Sequence, residues 1–440
     1  MHSVNEKPMH FNKSVKVNFE GGNLTSDAGL LLYKEFDEKI GLSSAISEHL
    51  QVNEPNGHNV HFNDEVVIQK IYQHIAGYHA DDHADELRYD PVLTTILQKD
   101  ALASQPTISR LNKKLDKNTM KQLQSVNHTL QKRVDVVEPK ENIMMDLDST
   151  NFETYGKQHG SDFNTHYQAQ GFHPLMMFDG LTGDCLKAEL RSGNVYTSRQ
   201  VVRFVGPEIK RYRKQSPWAT LCLRGDSGFA IPELYKLAEE HRVNYIIRLK
   251  ANNRLKEKAQ EIENKLREQL DLNTTEAKVF YKSFDYKAGN WNKSRRVVVK
   301  MEKPEGELFF TYTFIVTNMQ LSPKNIVKLY ANRGTMENFI KEAKNGFAFD
   351  QMTSSEFYSN ATKLQIAVIA YNFNNWFRRL CLPNKHKKNR IDNIRLKLIK
   401  IAGKCIRSGR YLTFKMSSSC LYKKAFWQTL QAIQQLPKFG

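Results

Sequence analysis

Five side chains able to handle phosphate chemistry, Tyr330, Arg333, Glu337, Lys341 and Lys344, fall between residues 330 and 344. At about 100° per helical residue they share one stripe roughly 80° wide. The stripe carries one carboxylate among cations and a phenol. Cutting a polyphosphate chain needs this mixture: an acid to hold a metal, and cations to hold the phosphates beside it. Glu342 lies roughly 140° off the stripe, so helix geometry selects Glu337 as the working acid. The same run also suits a solvated helix with Glu–Lys pairs at i,i+4 spacing, so other residues have to decide between the two readings.

Two further acids stand where strands end. Ile143-Met-Met-Asp146-Leu-Asp148 is a short apolar run closed by acids, and Ala219-Thr-Leu-Cys-Leu223 leads into Arg224-Gly-Asp226-Ser-Gly-Phe229. Strand ends and a neighbouring helix can converge on one point although they are far apart in sequence. Three carboxylates around a cleft can hold two hard cations, Mg²⁺ for preference. Such a pair clamps the attacking and leaving oxygens of an in-line phosphoryl transfer. Asp146 competes with Asp148, since residues two apart in a strand share a face. Asp148 stands nearer the strand end, and Asp146 is read as its support. Asp226 also suits a plain turn, because Gly-Asp-Ser-Gly is good turn chemistry. No His/Cys pattern points to zinc.

The elements that must position these acids follow from hydrophobic runs and breakers. Residues 1–135 read as mostly helical after a short extended start, with helix entries at Thr25-Ser-Asp27 and Asn63-Asp64. From Asn142 onward the order is β-β-β-α-β-α-β. The strands lie at 143–148, 173–178, 185–190, 219–223 and 244–249, and the helices at 198–214 and 232–242. A charged helix from Leu255 to Leu272 and two alternating segments, 278–286 and 295–300, read as an inserted β-rich subdomain. Tyr312 to Val316 resumes a buried strand, and Ser322-Pro323 opens one helix carrying Tyr330 to Lys344. A further apolar helix runs from Leu364 to Leu380.

A chain of 440 residues with net charge +18 suits several domains of ordinary globular composition. No apolar run approaches the ~20 residues of a membrane span, and the start lacks the apolar stretch of a signal peptide. Five scattered cysteines form no C-x-x-C pair, which fits a reducing cytoplasm. From Cys381 to Gly440 there are 14 Lys and Arg against one acid, Asp392. That block suggests a polyanionic partner, most simply nucleic acid.

The spacing Tyr330-x2-Arg333-x3-Glu337-x6-Lys344 resembles the signature of bacterial insertion-sequence transposases of the DDE type. Asp148-Ser-Thr150 and Arg224-Gly-Asp226-Ser-Gly-Phe229 resemble the surroundings of that group's two aspartates, most nearly those of the thirteen-eighty family. Gly21 to Gly29 and Gly77 to Pro91 resemble it too, so the likeness covers nearly the whole chain. The resemblance implies an α/β fold with a ribonuclease-H-like catalytic core, a mixed sheet flanked by helices. Five regions follow: a helical N-terminal DNA-binding region (1–135), the first part of the core (136–251), a β-rich insertion (252–311), the second part with the glutamate helix (312–380) and a basic C-terminal region (381–440). It implies Mg²⁺, with Mn²⁺ as a substitute, on Asp148, Asp226 and Glu337. Tyr330 and Arg333 would hold a phosphate near the element's 5′ end, and Lys344, with Lys341 beside it, would contact end DNA.

The implied partners are double-stranded DNA, as terminal inverted repeats and as target, and a second copy of the chain in the synaptic complex. A bacterial cytoplasm, at the nucleoid and without a membrane, would be the setting. The implied reaction is hydrolysis at the element's end followed by attack of the freed 3′-hydroxyl on target DNA. A metal-dependent nuclease of the same fold that does not transpose, and a DNA-binding repressor without catalysis, are the alternatives. Trp291, in a polar turn near Lys293, Arg295 and Arg296, is a candidate for stacking a flipped base, as a tryptophan does in the insertion of related enzymes; a packed loop aromatic is the rival reading. The acids and histidines from His79 to Asp85 resemble a metal cluster by composition only.

Overall fold

The computed structural model describes residues 6–53, 60–269 and 276–439. The chain forms two compact units, one of Met1–Val137, Asn345–Ala348 and Gln365–Gly440, the other of Glu138–Lys344 and Phe349–Leu364.

The first unit is mainly helical. In α1 (Leu30–Ile40) the apolar residues Leu30, Tyr33, Phe36 and Ile40 recur at helical spacing and are buried. Tyr33 stacks on Phe377 at 4.1 Å, and its hydroxyl donates to Asn374 Oδ1 at 2.8 Å. α1 ends at Gly41, whose φ of 78° is the left-handed cap glycine tolerates. α2 (Asn63–Ala76) is buried along almost its whole length, and α3 (Lys117–Val137) buries Leu123, Val126, Leu130 and Val134. The C-terminal segment belongs to this same unit. Gly403–Ser408 and Tyr411–Met416 form an antiparallel hairpin, and the first of these strands also pairs with Leu24–Thr25. Arg395 is buried and donates to the carbonyls of His74, Ile75 and Gly346. Part of the C-terminal basic charge is therefore spent inside the fold.

The second unit is built on one eight-stranded mixed sheet. Its strands are β1 (Asn142–Ser149), β2 (Leu175–Asp179), β3 (Cys185–Glu189), β4 (Thr220–Gly225), β5 (Asn244–Leu249), β6 (Lys278–Tyr286), β7 (Arg295–Lys303) and β8 (Thr311–Thr317). Their order is β6-β7-β8-β5-β4-β1-β2-β3. β4 runs parallel to β1 and to β5, and every other pairing is antiparallel. Alternation along each strand sorts the faces. Ile143, Met145 and Leu147 of β1 and Leu221 and Leu223 of β4 join one large core with residues of α4 (Val201–Gln215), α5 (Pro232–Glu240) and α6 (Asn253–Gln269). On the other face Met144, Cys222, Ile246, Val298 and Ile315 pack on Ile326 of α7 (Pro323–Ala331). Each large aliphatic side chain so buried contributes about 1.5–3 kcal/mol.

The element order expected for 142–249 is present, but three expectations need correction. The segments read as an inserted β-rich subdomain continue the main sheet: β7 pairs with β8, and β8 with β5. Antiparallel alternation looks the same in a sheet edge and in a detached hairpin, so sequence alone cannot separate them. Tyr330 and Lys344 do not share one helix, because the chain turns at Asn332–Arg333 between α7 and α8 (Gly334–Phe347). Trp291 is 6% exposed, lies in the large core and meets Tyr235 and Tyr286 edge-on at 5.5 and 5.6 Å. It packs the fold and presents no face to a base. The helix expected from Leu255 to Leu272 spans Asn253–Gln269, and 270–272 lie outside the described residues. A small sheet of Phe152–Glu153, Asp162–Asn164 and Ala169–Phe172, between β1 and β2, was not foreseen.

Candidate active site

Asp148 stands next to the end of β1, and Asp226 directly follows β4. The parallel register sets Arg224 opposite Asp146, so two residues further on Asp226 comes level with Asp148 on the same face. Asp226 is held from behind by the short turn it caps: its Oδ1 accepts the Gly228 N–H at 2.8 Å. Both aspartates face Arg333. The guanidinium Nη2 lies 3.1 Å from Asp148 Oδ1 and 3.7 Å from Asp226 Oδ2, and it donates to the Leu147 carbonyl at 3.3 Å. Burial works against the charge of Arg333, but Asp148 and Asp226, with Tyr330 and Asp146, outweigh it together and raise its pKa. Burial likewise raises the Asp148 carboxyl, against the pull of Arg333 and with a push from Asp226.

Asp146 lies two residues before Asp148 on the same face of β1. It is fully buried and takes two hydrogen bonds from Arg224, at 2.6 and 2.5 Å. Burial pushes its carboxyl up to about 6 despite Arg224. Arg224 reaches on to the carbonyls of Leu329 and Asn332, the last turn of α7 and its cap. One ion pair thus ties the two central strands to the backbone entering Arg333. Gly180 lets this pair approach closely, since a Cβ there would sit 2.4 Å from Asp146 Oδ2. The turn is tightened by Arg333 N–H to Tyr330 O at 2.9 Å and by the Thr335 hydroxyl on Asn332 O at 2.7 Å.

The remaining stripe residues separate by position. Tyr330, on the last turn of α7, is half-buried against the second core, and burial raises its phenol, with Arg333 and Asp226 among the charges acting on it. Glu337 lies in the first turn of α8, where an acid suits the helix dipole, and is exposed, as is Lys341. Lys344 turns inward: its Nζ donates to Asn151 O at 2.8 Å and lies 5.3 Å from the Phe152 ring centre, and burial lowers its pKa. Asp148, Asp226, Arg333 and Tyr330 are therefore brought together. Among the described residues no group of three or more His, Cys, Asp or Glu is close enough to hold a metal ion, the segment His79 to Asp85 included.

Carboxylate oxygens alone are the donor set that hard divalent cations prefer. The two aspartates already converge on a positive centre, the Arg333 guanidinium, so the pair fits a cation. Arg333 Nε is buried with no hydrogen-bond partner among the described residues, a spare donor at the same place. Sequence reasoning missed Tyr167, whose hydroxyl lies 3.5 Å from Ser149 O, and Thr197, whose hydroxyl is 3.1 Å from Ser149 Oγ. The sequence signal for Tyr167 was a polar turn, Asn164 to Gln168, between two short extended pieces, and Thr197 carried none.

A family model described as Transposase DDE domain group 1 matches residues 7–438. No curated protein matches the chain. Among solved structures, the cryo-EM structure of a piggyBac transposase synaptic complex with hairpin DNA is similar over 90% of this chain and 82% of that one, with 14% identity and a TM-score of 0.42.

Proposed function

This chain belongs to the Transposase DDE domain group 1 family, and from that premise we propose that Asp148, Asp226 and Glu337 are its catalytic acids, cutting DNA at the ends of an insertion sequence and joining the 3′-hydroxyl ends to target DNA. The observation that carries this reading is the convergence of Asp148 and Asp226 on one cationic centre at the ends of two parallel strands. The strand order β3-β2-β1-β4-β5, with the first three antiparallel and the last two parallel to β1, supports a ribonuclease-H-like core.

Asp148 and Asp226 would hold Mg²⁺, or Mn²⁺ in its place, with Glu337 joining when the turn at Asn332–Arg333 bends. A divalent cation bound there supplies Lewis-acid polarisation of the phosphate and an activated oxygen nucleophile. The protein itself then has to hold and orient. Arg333 leaves the aspartates and offers its unsatisfied Nε and its Nη groups to a phosphate in a bidentate grip. The Tyr330 hydroxyl, beside Arg333, donates to the same phosphate. Lys341 and Lys344 hold the flanking backbone, Lys344 by exchanging Asn151 O for DNA. Water and then the 3′-hydroxyl serve as nucleophiles, so no protein nucleophile is required. The helical first unit, with the basic C-terminal segment built into it, would bind the terminal repeats, and two copies would pair two ends.

The test is cleavage of linear DNA carrying the sequences that flank the gene, with Mg²⁺, by wild type and by Asp148→Ala, Glu337→Ala and Glu342→Ala. Loss in the first two with DNA binding retained and Glu342→Ala active supports the assignment. Normal cutting by Glu337→Ala removes Glu337 from it. Binding without any cutting by the wild type favours the repressor.

A further inference from the structure

The hairpin between β1 and β2 is built with more care than a connecting loop needs. Asp162–Asn164 pairs antiparallel with Ala169–Phe172, leaving the four-residue tip Thr165–Gln168. Asn164 is buried and organises the tip. Its Oδ1 accepts the N–H groups of His166 and Tyr167 at 3.0 and 3.3 Å, and its Nδ2 donates to Gly193 O at 2.7 Å. Gln168 closes the turn with φ at 52° and a bond from its Nε2 to Thr165 O. Glycines let the neighbouring chains press against the hairpin: a Cβ on Gly193 would fall 2.2 Å from Asp162 O, and one on Gly171 2.2 Å from Phe152 O. The tip is thus fixed on both sides.

What this rigid tip presents is Tyr167. The residue is 40% exposed, and its ring meets His173 edge-on at 5.8 Å and His166 at 4.8 Å. Its hydroxyl end lies 3.5 Å from the carbonyl of Ser149, the residue after Asp148. Burial raises the phenol's pKa, and the charges of Asp148 and Asp226 add to the rise, which places both aspartates within electrostatic reach. An exposed tyrosine whose hydroxyl reaches the residue after a proposed catalytic aspartate has an obvious occupant in a transposase family, DNA. The nucleoside attached to the phosphate at Asp148 needs a surface, and every base has a π-face that stacks on a ring without regard to sequence.

We propose that the Thr165–Gln168 tip is a nucleotide-binding element of the active site, in which Tyr167 stacks on a base next to the scissile phosphate. The inference rests on the assignment of Asp148 and Asp226 given above. It differs from the Trp291 expectation in using a ring that is exposed.

The experiment uses the full chain and a duplex spanning the junction between the flanking terminal repeat and its neighbouring DNA, with 5-iodouracil next to the junction. Irradiation in EDTA should give an adduct on Tyr167. With Mg²⁺, Tyr167→Ala should lower cleavage about ten- to a hundred-fold and Tyr167→Phe less than about three-fold, as loss and retention of a stacked base require. Adducts elsewhere, normal cutting by Tyr167→Ala, or equal loss in Tyr167→Phe would each overturn the stacking role. Asp148→Ala separates the two levels: if it still cuts, the site assignment itself fails, and if it is inactive while Tyr167→Ala is normal, only the tip is wrong. The tip is exposed, so a melting curve for Tyr167→Ala matching wild type secures the comparison.

Discussion

At the scale of single residues, Arg333 governs the site. It shares one guanidinium between two carboxylates that would otherwise face each other as like charges. Arg333→Gln should lower stability by about 1 kcal/mol, a small value because Asp226 remains partly in water. Mg²⁺ should restore that loss by replacing the missing charge; thermal melts with and without the cation decide, and a loss that Mg²⁺ leaves unchanged argues against a cation site here. The raised pKa of Asp148 has a definite sign. A protonated carboxyl cannot hold a cation, so on acidification Mn²⁺ affinity should begin to fall above the ordinary carboxylate range. Because Arg333 pulls this pKa down, Arg333→Gln should move the fall to still higher pH. Mn²⁺ titrations followed by electron paramagnetic resonance across pH 4–8, a range chosen to bracket ordinary and raised carboxylates, would show it.

At the scale of elements, legibility followed the strength of the local signal. β1, β2, β4 and β5 were readable because each is a compact apolar run, and Asp148 and Asp226 were readable because the runs end on them. The small sheet of 152–172 was not, since Ala169-Gln-Gly-Phe172 and Asp162-Phe-Asn164 carry no sustained alternation. Trp291 misled because its sequence neighbours Asn290, Asn292 and Lys293 are polar, whereas its ring packs on Tyr286, at the end of β6, and on Tyr235, distant in sequence. Trp291→Ala should therefore cost about 3–5 kcal/mol of stability, as core aromatics do, measured by urea unfolding. The break between α7 and α8 was invisible because Asn332-Arg333-Gly334 contains no proline and the break rests on i→i−3 bonds and on the reach of Arg224 from a strand. Gly334 opens α8 with nothing among the described residues within 4 Å of its absent Cβ. Gly334→Ala should raise stability by about 0.4–1 kcal/mol. If Glu337 joins the aspartates by bending at this turn, the same substitution should slow cleavage, and unchanged cleavage would count against the bend.

At the scale of the whole molecule, two compact units built from one interleaved chain should unfold as two events. Arg395 holds three backbone carbonyls inside the first unit, and Arg395→Ala leaves them without their charged donor. The expected loss is about 2–4 kcal/mol, and in calorimetry it should move one transition only, whereas Trp291→Ala should move the other. A single transition shifting in both variants would refute that independence. The pairing of Gly403 with Thr25, and the bond from Phe439 N–H to Lys39 O at 2.7 Å, carry a further consequence. The first unit's strand at Leu24–Thr25 finds its partner only beyond residue 400, so on the ribosome that unit must wait while the second unit's residues emerge ahead of its closing strands. A chain cut short by a nonsense codon in the 390s would carry every proposed catalytic acid and still lack the closing strands of its helical unit. Such shortened products would differ from the full protein in what they can hold, not in the acids they carry.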